Sequence, residues 1–276
     1  VKVLKNWPER STDNGIQVKI SERGVMRVED RPIRLVLYNT RYGTGTGWAY
    51  HAPFPFAGTL KTTMARSSSI ARFIASLEPD IVGLVETDGG SFRQGGRGQP
   101  EYLAETLGHS WVFSSKYCIP RISGCVPVFR HQGNAVVTSL PIRETSVLRL
   151  KRGIKNAVIE TGFDDFDLKL VHLSLGSGAR RQQILELAAM AGERKRPLLI
   201  AGDFNAFGGG PEIEPLIEAG LKNADTLGIR TYPSGRPWLG LDLVLHSPEI
   251  DVKRLEVPDV RLSDHLPVVC DFALSL

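Results

Sequence analysis

The chain has 276 residues, of which 42% are hydrophobic and 23% charged, a balance typical of folded globular proteins and outside the range of disordered chains. Lysine and arginine outnumber aspartate and glutamate by 34 to 30, and the net charge of +4 favours a polyanionic partner without requiring one. Three cysteines exclude a dense disulfide framework, and no apolar run approaches the roughly 18 residues of a membrane-spanning helix, so a soluble chain is expected.

Ile33–Asn39 is the first strong strand. Residues 1–32 before it are expected to form an N-terminal extension able to supply an added strand or hairpin, and 33–276 to form one domain. Residues 62–77 predict a helix with Met64, Ile70, Phe73, Ile74 and Leu77 on its buried side, stopped before Pro79. A buried strand is predicted at 80–87, with further strands at 133–139, 156–162, 168–174, 197–203, 241–246 and 267–272, each bounded by Gly, Pro, Asp or Ser. Helices at 179–190 and 211–219 interrupt them. Many strands with few helices indicate an α/β fold of two sheets packed face to face, with helices on the outer faces. Segments 43–58 and 114–132 are predicted as long loops. The second of these holds Cys118 and Cys125, expected as free thiols with a bridge between them as the alternative, whereas Cys270 lies in an apolar run and is expected in the core.

Strongly polar residues close or open several of these strands. Asn39 and Glu86 end the first two, His172 interrupts Leu170–Leu173, Asp203 and Asn205 follow Leu198–Gly202, Asp242 opens the next, and Asp264–His265 precede the last. A carboxylate at the end of an apolar strand is expensive to desolvate unless a cation, a hydrogen bond or open solvent compensates it. One such residue is ordinarily a cap or turn former; four acids, two histidines and two asparagines in comparable places indicate a shared site. Oxygen donors without clustered cysteine suit Mg²⁺ or Mn²⁺ with Glu86 and Asp264 as leading ligands, and zinc is the competing ion.

The segments Gly202-Asp203-Phe204-Asn205-Ala206 and Ser263-Asp264-His265-Leu266-Pro267, with support from the strands ending in Glu86, His172 and Asp242 and from 133–137, resemble the endonuclease/exonuclease/phosphatase superfamily over about residues 33–272. That resemblance implies a four-layered α/β/β/α sandwich of two mixed sheets and a divalent-metal-dependent phosphodiesterase. It also implies roles: Asn39, Glu86 and Asp264 around the metal; Asp203, aided by Asn205, activating water; His172 and His265 on the phosphate oxygens; Asp242 orienting a histidine. Asn134 is implied as a phosphate-binding or site-bracing residue.

For the substrate, the basic balance and Arg41, Arg121, Arg130, Arg180, Arg181 and Arg236 favour nucleic acid, with Arg41, Arg180 and Arg181 expected to clamp phosphates. The aromatic segment 48–56 supports a membrane-lipid headgroup as the alternative substrate. Departures from the inositol-phosphatase and exonuclease III-like patterns, notably Phe204-Asn205-Ala206 after Asp203 and Leu241-Asp242-Leu243 at the later aspartate, argue against both specialisations. Nothing in the sequence indicates a protein partner, and a monomer is the expected state.

Overall fold

The structure is a computed structural model that describes residues 16–20, 31–46, 63–116 and 130–275. The aromatic segment 48–56, Arg121, and the pair Cys118 and Cys125 lie outside the described residues.

The strands are β1 (Ile16–Lys19), β2 (Ile33–Asn39), β3 (Ile81–Asp88), β4 (Ser110–Ser115), β5 (Gln132–Thr138), β6 (Glu144–Arg149) and β7 (Ala157–Gly162). They continue as β8 (Asp167–His172), β9 (Leu198–Asp203), β10 (Lys222–Asn223), β11 (Asp242–His246), β12 (Ile250–Glu256) and β13 (Val268–Leu274). Among the described residues the α-helices are α1 (Met64–Ser76), α2 (Gln99–Leu107), α3 (Ser177–Gly192) and α4 (Gly210–Glu218). Hydrogen bonding assembles a seven-stranded sheet in the order β1-β4-β5-β3-β2-β13-β12 and a six-stranded sheet in the order β10-β11-β9-β8-β7-β6. Both are mixed, because β2–β3 and β8–β9 pair parallel while the other described pairings are antiparallel.

Side chains alternate across a strand, so each central strand must bury two apolar faces. In β2, Leu35 and Leu37 join Leu170, Leu199 and Ala201 in the core between the sheets, while Val36 and Tyr38 pack with Ile70 and Ile74 of α1 and Leu103 of α2. The six-stranded sheet repeats the arrangement, with Val171, Ile200 and Leu245 against Ile184 and Leu187 of α3 and Ile213 and Leu216 of α4. The result is the four-layered α/β/β/α sandwich.

Met64, expected on the buried side of α1, is 53% exposed, and the buried face runs instead through Ser67, Ile70, Ala71 and Ile74. Met64 begins the helix, so no preceding turn lies beneath it to be covered. Several elements carry too little apolar pattern to announce themselves. Helix α2 is nine residues long, opened by a proline in its first turn and closed by Gly108 in the left-handed conformation. The edge strands β6 and β12 are half solvated and rich in charge, and β1 adds to the other edge by pairing antiparallel with β4.

Candidate active site

The polar strand ends converge at one end of the sandwich, and each sheet contributes. From the seven-stranded sheet come Asn39 at the end of β2, Glu86 within β3 and Asp264–His265 just before β13; from the six-stranded sheet come His172, Asp203 and Asp242 on β8, β9 and β11, with Asn205 just past β9. Asn39 Nδ2 donates to Asp203 Oδ2 across the gap at 3.0 Å.

Local backbone geometry aims these groups. The register of β3 against β5 slips between Leu84 and Thr87, so Val85 and Glu86 face the single residue Asn134. Such a bulge turns a side chain off the regular alternation. Glu86 takes φ +51° there, and its N–H is received by Asn134 Oδ1 at 3.2 Å. Asn205 likewise sits at φ +49°, with its N–H on Asp203 Oδ1 at 2.9 Å and its Nδ2 on Leu173 O at 2.9 Å. Non-glycine residues in this region are uncommon and concentrate at functional sites. Gly202 has no such choice: a β-carbon there would fall 1.9 Å from Val171 O, so only glycine lets β9 lie this close to β8.

Charge in the site is arranged in three groups. His265 Nδ1 donates to Asp242 Oδ2 at 2.7 Å, and its Nε2 lies 3.9 Å from Asp203 Oδ2. Burial would lower this imidazole, but Asp242, with Asp203 and Asp264 behind it, overrides burial and raises it to about 10. It is therefore an imidazolium at neutral pH. Burial, reinforced by Asp242, raises Asp203 to about 6. Burial would also raise Glu86, yet Lys155 and Lys116 outweigh it and hold this carboxyl below the usual range. Their ammonium groups stand 3.4 Å and 3.7 Å from Glu86 Oε1. Lys155 Nζ also donates to His172 Nε2 at 2.6 Å, and burial together with Lys155 depresses His172 well below its ordinary value, leaving it neutral. Arg41 Nε lies 3.2 Å from Asp264 Oδ2, while burial pushes Asp264 upward against the pull of His265 and Arg41.

Several expectations change in detail. Asn134 braces the Glu86 backbone, the second of the two roles implied for it. Arg41 reaches the site but pairs with Asp264. Arg180 does not reach it. This side chain is 3% exposed, its Nε and Nη2 grip Glu212 at 2.5 and 3.1 Å, and its Nη1 serves the carbonyls of Ser174 and Leu175, so it fastens α3 to α4 instead of clamping substrate. Arg130, Arg181 and Arg236 are exposed. With His172 neutral, positive charge beside it comes from Lys155. Sequence reasoning missed Lys155 and Lys116 because neither belongs to a strand-end motif; the basic run Lys151-Arg152-Gly153-Ile154-Lys155 in the β6–β7 loop was the visible signal for the first.

Among the described residues, one group with cation-binding geometry is Asp203, Asp242 and His265, whose ligand atoms lie within 4.8 Å of one another. The 2.7 Å contact between Asp242 and His265 is a hydrogen bond, however, and leaves no room for an ion between them. Glu86 adds to the upward push on Asp264, so the two carboxylates feel one another, and with the Asn39 amide oxygen they are hard donors of the kind that suits Mg²⁺ or Mn²⁺. The residues present fit such a cation.

Comparison with known proteins agrees with this geometry. The sequence profile of the Endonuclease/Exonuclease/phosphatase family matches residues 36–265. Among solved structures, a family protein from Bacteroides thetaiotaomicron superposes with a TM-score of 0.66 at 16% identity, covering 88% of this chain and 98% of its own. A mannosyl-6-phosphatase from the same organism superposes with a TM-score of 0.63 at 16% identity, covering 88% of this chain and 100% of its own. The human Nocturnin catalytic domain, solved with a bound sulfate anion, gives 0.61 at 21% identity over 90% of this chain and 96% of its own. These likenesses establish the shared fold, and the profile match over most of the length establishes more: the chain belongs to the endonuclease/exonuclease/phosphatase family of phosphoesterases.

Proposed function

We propose that the chain is a Mg²⁺- or Mn²⁺-dependent phosphodiesterase that hydrolyses P–O bonds in nucleic acid by in-line attack of water. The observation that carries this reading is Asp203, a buried carboxylate 3.9 Å from the imidazolium of His265 and fixed by Asn39 and the Asn205 N–H. Asp203 accepts the proton of the attacking water, as a positioned base with a raised pKa does best near neutral pH. His265, oriented through its Nδ1 by Asp242, presents Nε2–H toward the phosphoryl oxygens. Lys155 and Lys116 carry two further positive charges to the same place, so negative charge accumulating on the phosphoryl oxygens meets preorganised donors. A divalent cation held by Glu86, Asp264 and Asn39 supplies Lewis-acid polarisation of the phosphate when bound.

The assignment to nucleic acid rests on the net positive charge and on exposed Arg181 and Arg236. An activity panel with Mg²⁺ or Mn²⁺ tests it: linear duplex, plasmid, single-stranded DNA, RNA, sphingomyelin, a sugar phosphate monoester and bis(p-nitrophenyl) phosphate. Turnover of a nucleic acid above the other substrates, abolished by chelator, is the expected result. Turnover of sphingomyelin or of the monoester alone overturns the substrate assignment, and full activity after exhaustive chelation overturns the mechanism.

A further inference from the structure

Gln183 of α3 is fully buried, and its amide bonds to two separate stretches of chain. Nε2 donates to Arg152 O and Lys155 O, each at 2.7 Å, while Oε1 receives the Ser174 N–H at 2.9 Å. Both amide protons are thereby committed to one stretch and the amide oxygen to the other.

The first stretch is the turn between β6 and β7. Leu150 and Asn156 close it, with the Leu150 N–H on Asn156 O at 2.9 Å and Asn156 Nδ2 on Leu150 O at 3.0 Å. At its middle Gly153 takes φ +87°, and a β-carbon there would fall 2.0 Å from Ser174 Oγ and 2.9 Å from Gln183 Nε2. Only glycine lets the turn lie this close to both. The Lys151 N–H reaches the Glu186 carboxylate at 3.1 and 3.2 Å, so α3 holds both ends of the turn. The second stretch leaves β8 directly after His172. Leu173 O receives Asn205 Nδ2, the Ser174 N–H goes to Gln183, and the carbonyls of Ser174 and Leu175 receive Arg180.

Lys155 and His172 are the site groups carried by these two stretches, and they touch: Lys155 Nζ donates to His172 Nε2 at 2.6 Å and stands 3.4 Å from Glu86 Oε1. A lysine stem carries about 2 kcal/mol of rotamer entropy, so its ammonium keeps such a place only where the backbone at its root is fixed. We propose that Gln183 is a positioning residue that ties the turn bearing Lys155 to the segment bearing His172 and so holds the ammonium on the imidazole and on Glu86. Its effect on chemistry rests on the phosphodiesterase reading and deepens it. Lys155 meets charge as it develops on the phosphoryl oxygens, so loosening the turn lowers kcat and leaves KM unchanged.

Gln183→Met and Gln183→Glu test it, with Lys155→Met as reference. Methionine removes all three hydrogen bonds at similar volume; glutamate keeps an acceptor for the Ser174 N–H and turns oxygen on the two loop carbonyls. The first readout needs no substrate: the ¹⁵N resonance of His172 Nε2, recorded in chelator. An ammonium only donates, so Nε2 is the acceptor here, and Lys155→Met is expected to move its resonance by removing the donor. Each Gln183 variant is expected to move it the same way by at least half as much. An unmoved resonance overturns the proposal. The second readout is a double-mutant cycle on bis(p-nitrophenyl) phosphate with Mg²⁺. Gln183→Met is expected to lower kcat about tenfold at unchanged KM, and to change it by less than about twofold when Lys155 is already methionine. Equal losses in both backgrounds would make Gln183 a support of the fold at large and overturn its action through Lys155. Loss of the folded state in both Gln183 variants, read by thermal melting, would do the same. If wild type hydrolyses no phosphodiester, the phosphodiesterase reading fails and the His172 resonance alone decides the positioning role.

Discussion

Asp203 does two jobs with two oxygens. Oδ1 receives the Asn205 N–H and shapes the turn after β9, while Oδ2 meets Asn39 Nδ2 and faces His265. Asp203→Asn keeps an acceptor for the turn and removes a buried carboxylate whose ionisation burial opposes, so its melting temperature is expected to stay within a few degrees of wild type. Hydrolysis is expected to drop by about 10²–10⁴-fold, since an amide cannot take a proton from water; a destabilised protein with near-normal single-turnover rate would make Asp203 a cap and nothing more. The Asp242–His265 pair has its own signature. His265 is raised from its ordinary value to about 10 in the folded protein, so the stability it contributes is complete below about pH 6.5 and disappears as pH climbs through about 10. Asp203, raised to about 6, acts in the same direction at lower pH, because ionising it costs the folded state. Melting temperature against pH in chelator should therefore decline across pH 6.5–10 in wild type and flatten there in Asp242→Asn. Parallel curves would show that Asp242 does not govern the imidazole.

At the level of elements, helix α3 separates two neighbouring arginines that a sequence treats alike. Arg180 is locked between Glu212 and two carbonyls, so Arg180→Ala should cost on the order of 3 kcal/mol in a denaturant titration. Arg181, exposed on the same helix, should leave stability unchanged when replaced by alanine while making nucleic-acid binding less dependent on salt. Equal stability losses in the two variants would contradict this division. The contrast also explains what was legible beforehand. Strands β2, β3, β8 and β9 bury both faces and read as apolar runs closed by polar residues, so both their positions and the gathering of those polar ends follow from the sequence. Strands β6 and β12 lie at sheet edges with charged outer faces, and α2 is too short for its periodicity to stand out. Lys116 and Lys155 escaped because a lysine in or beside a loop is ordinarily solvated; only the fold brings both to Glu86. The backbone bulge that turns Glu86 inward has no residue-type signature, since neither glycine nor proline marks it.

Across the whole molecule, acids and bases in the site lie close to balance before any cation arrives: Glu86, Asp203, Asp242 and Asp264 stand among Lys116, Lys155, Arg41 and His265. Mg²⁺ binding draws on ligands that converge only after folding, so it should raise the melting temperature with ion concentration as mass action requires. Replacing Glu86 with Gln should weaken that response; a wild type whose melting temperature ignores Mg²⁺ and Mn²⁺ would place the ion elsewhere or nowhere. The polar groups of the site are divided between two sheets whose facing sides interlock through apolar side chains, with Leu170 set so tightly over Gly83 that a β-carbon there would come within 2.8 Å. Neither sheet owns a working site. Chemistry here depends on the alignment of two half-jaws, and their hinge is hydrocarbon. A slip at that seam, too small to unfold anything, would stretch the Asn39–Asp203 bond and misalign Asp203 with His265, so on the proposed reading the enzyme would lose its bite while it still kept its shape.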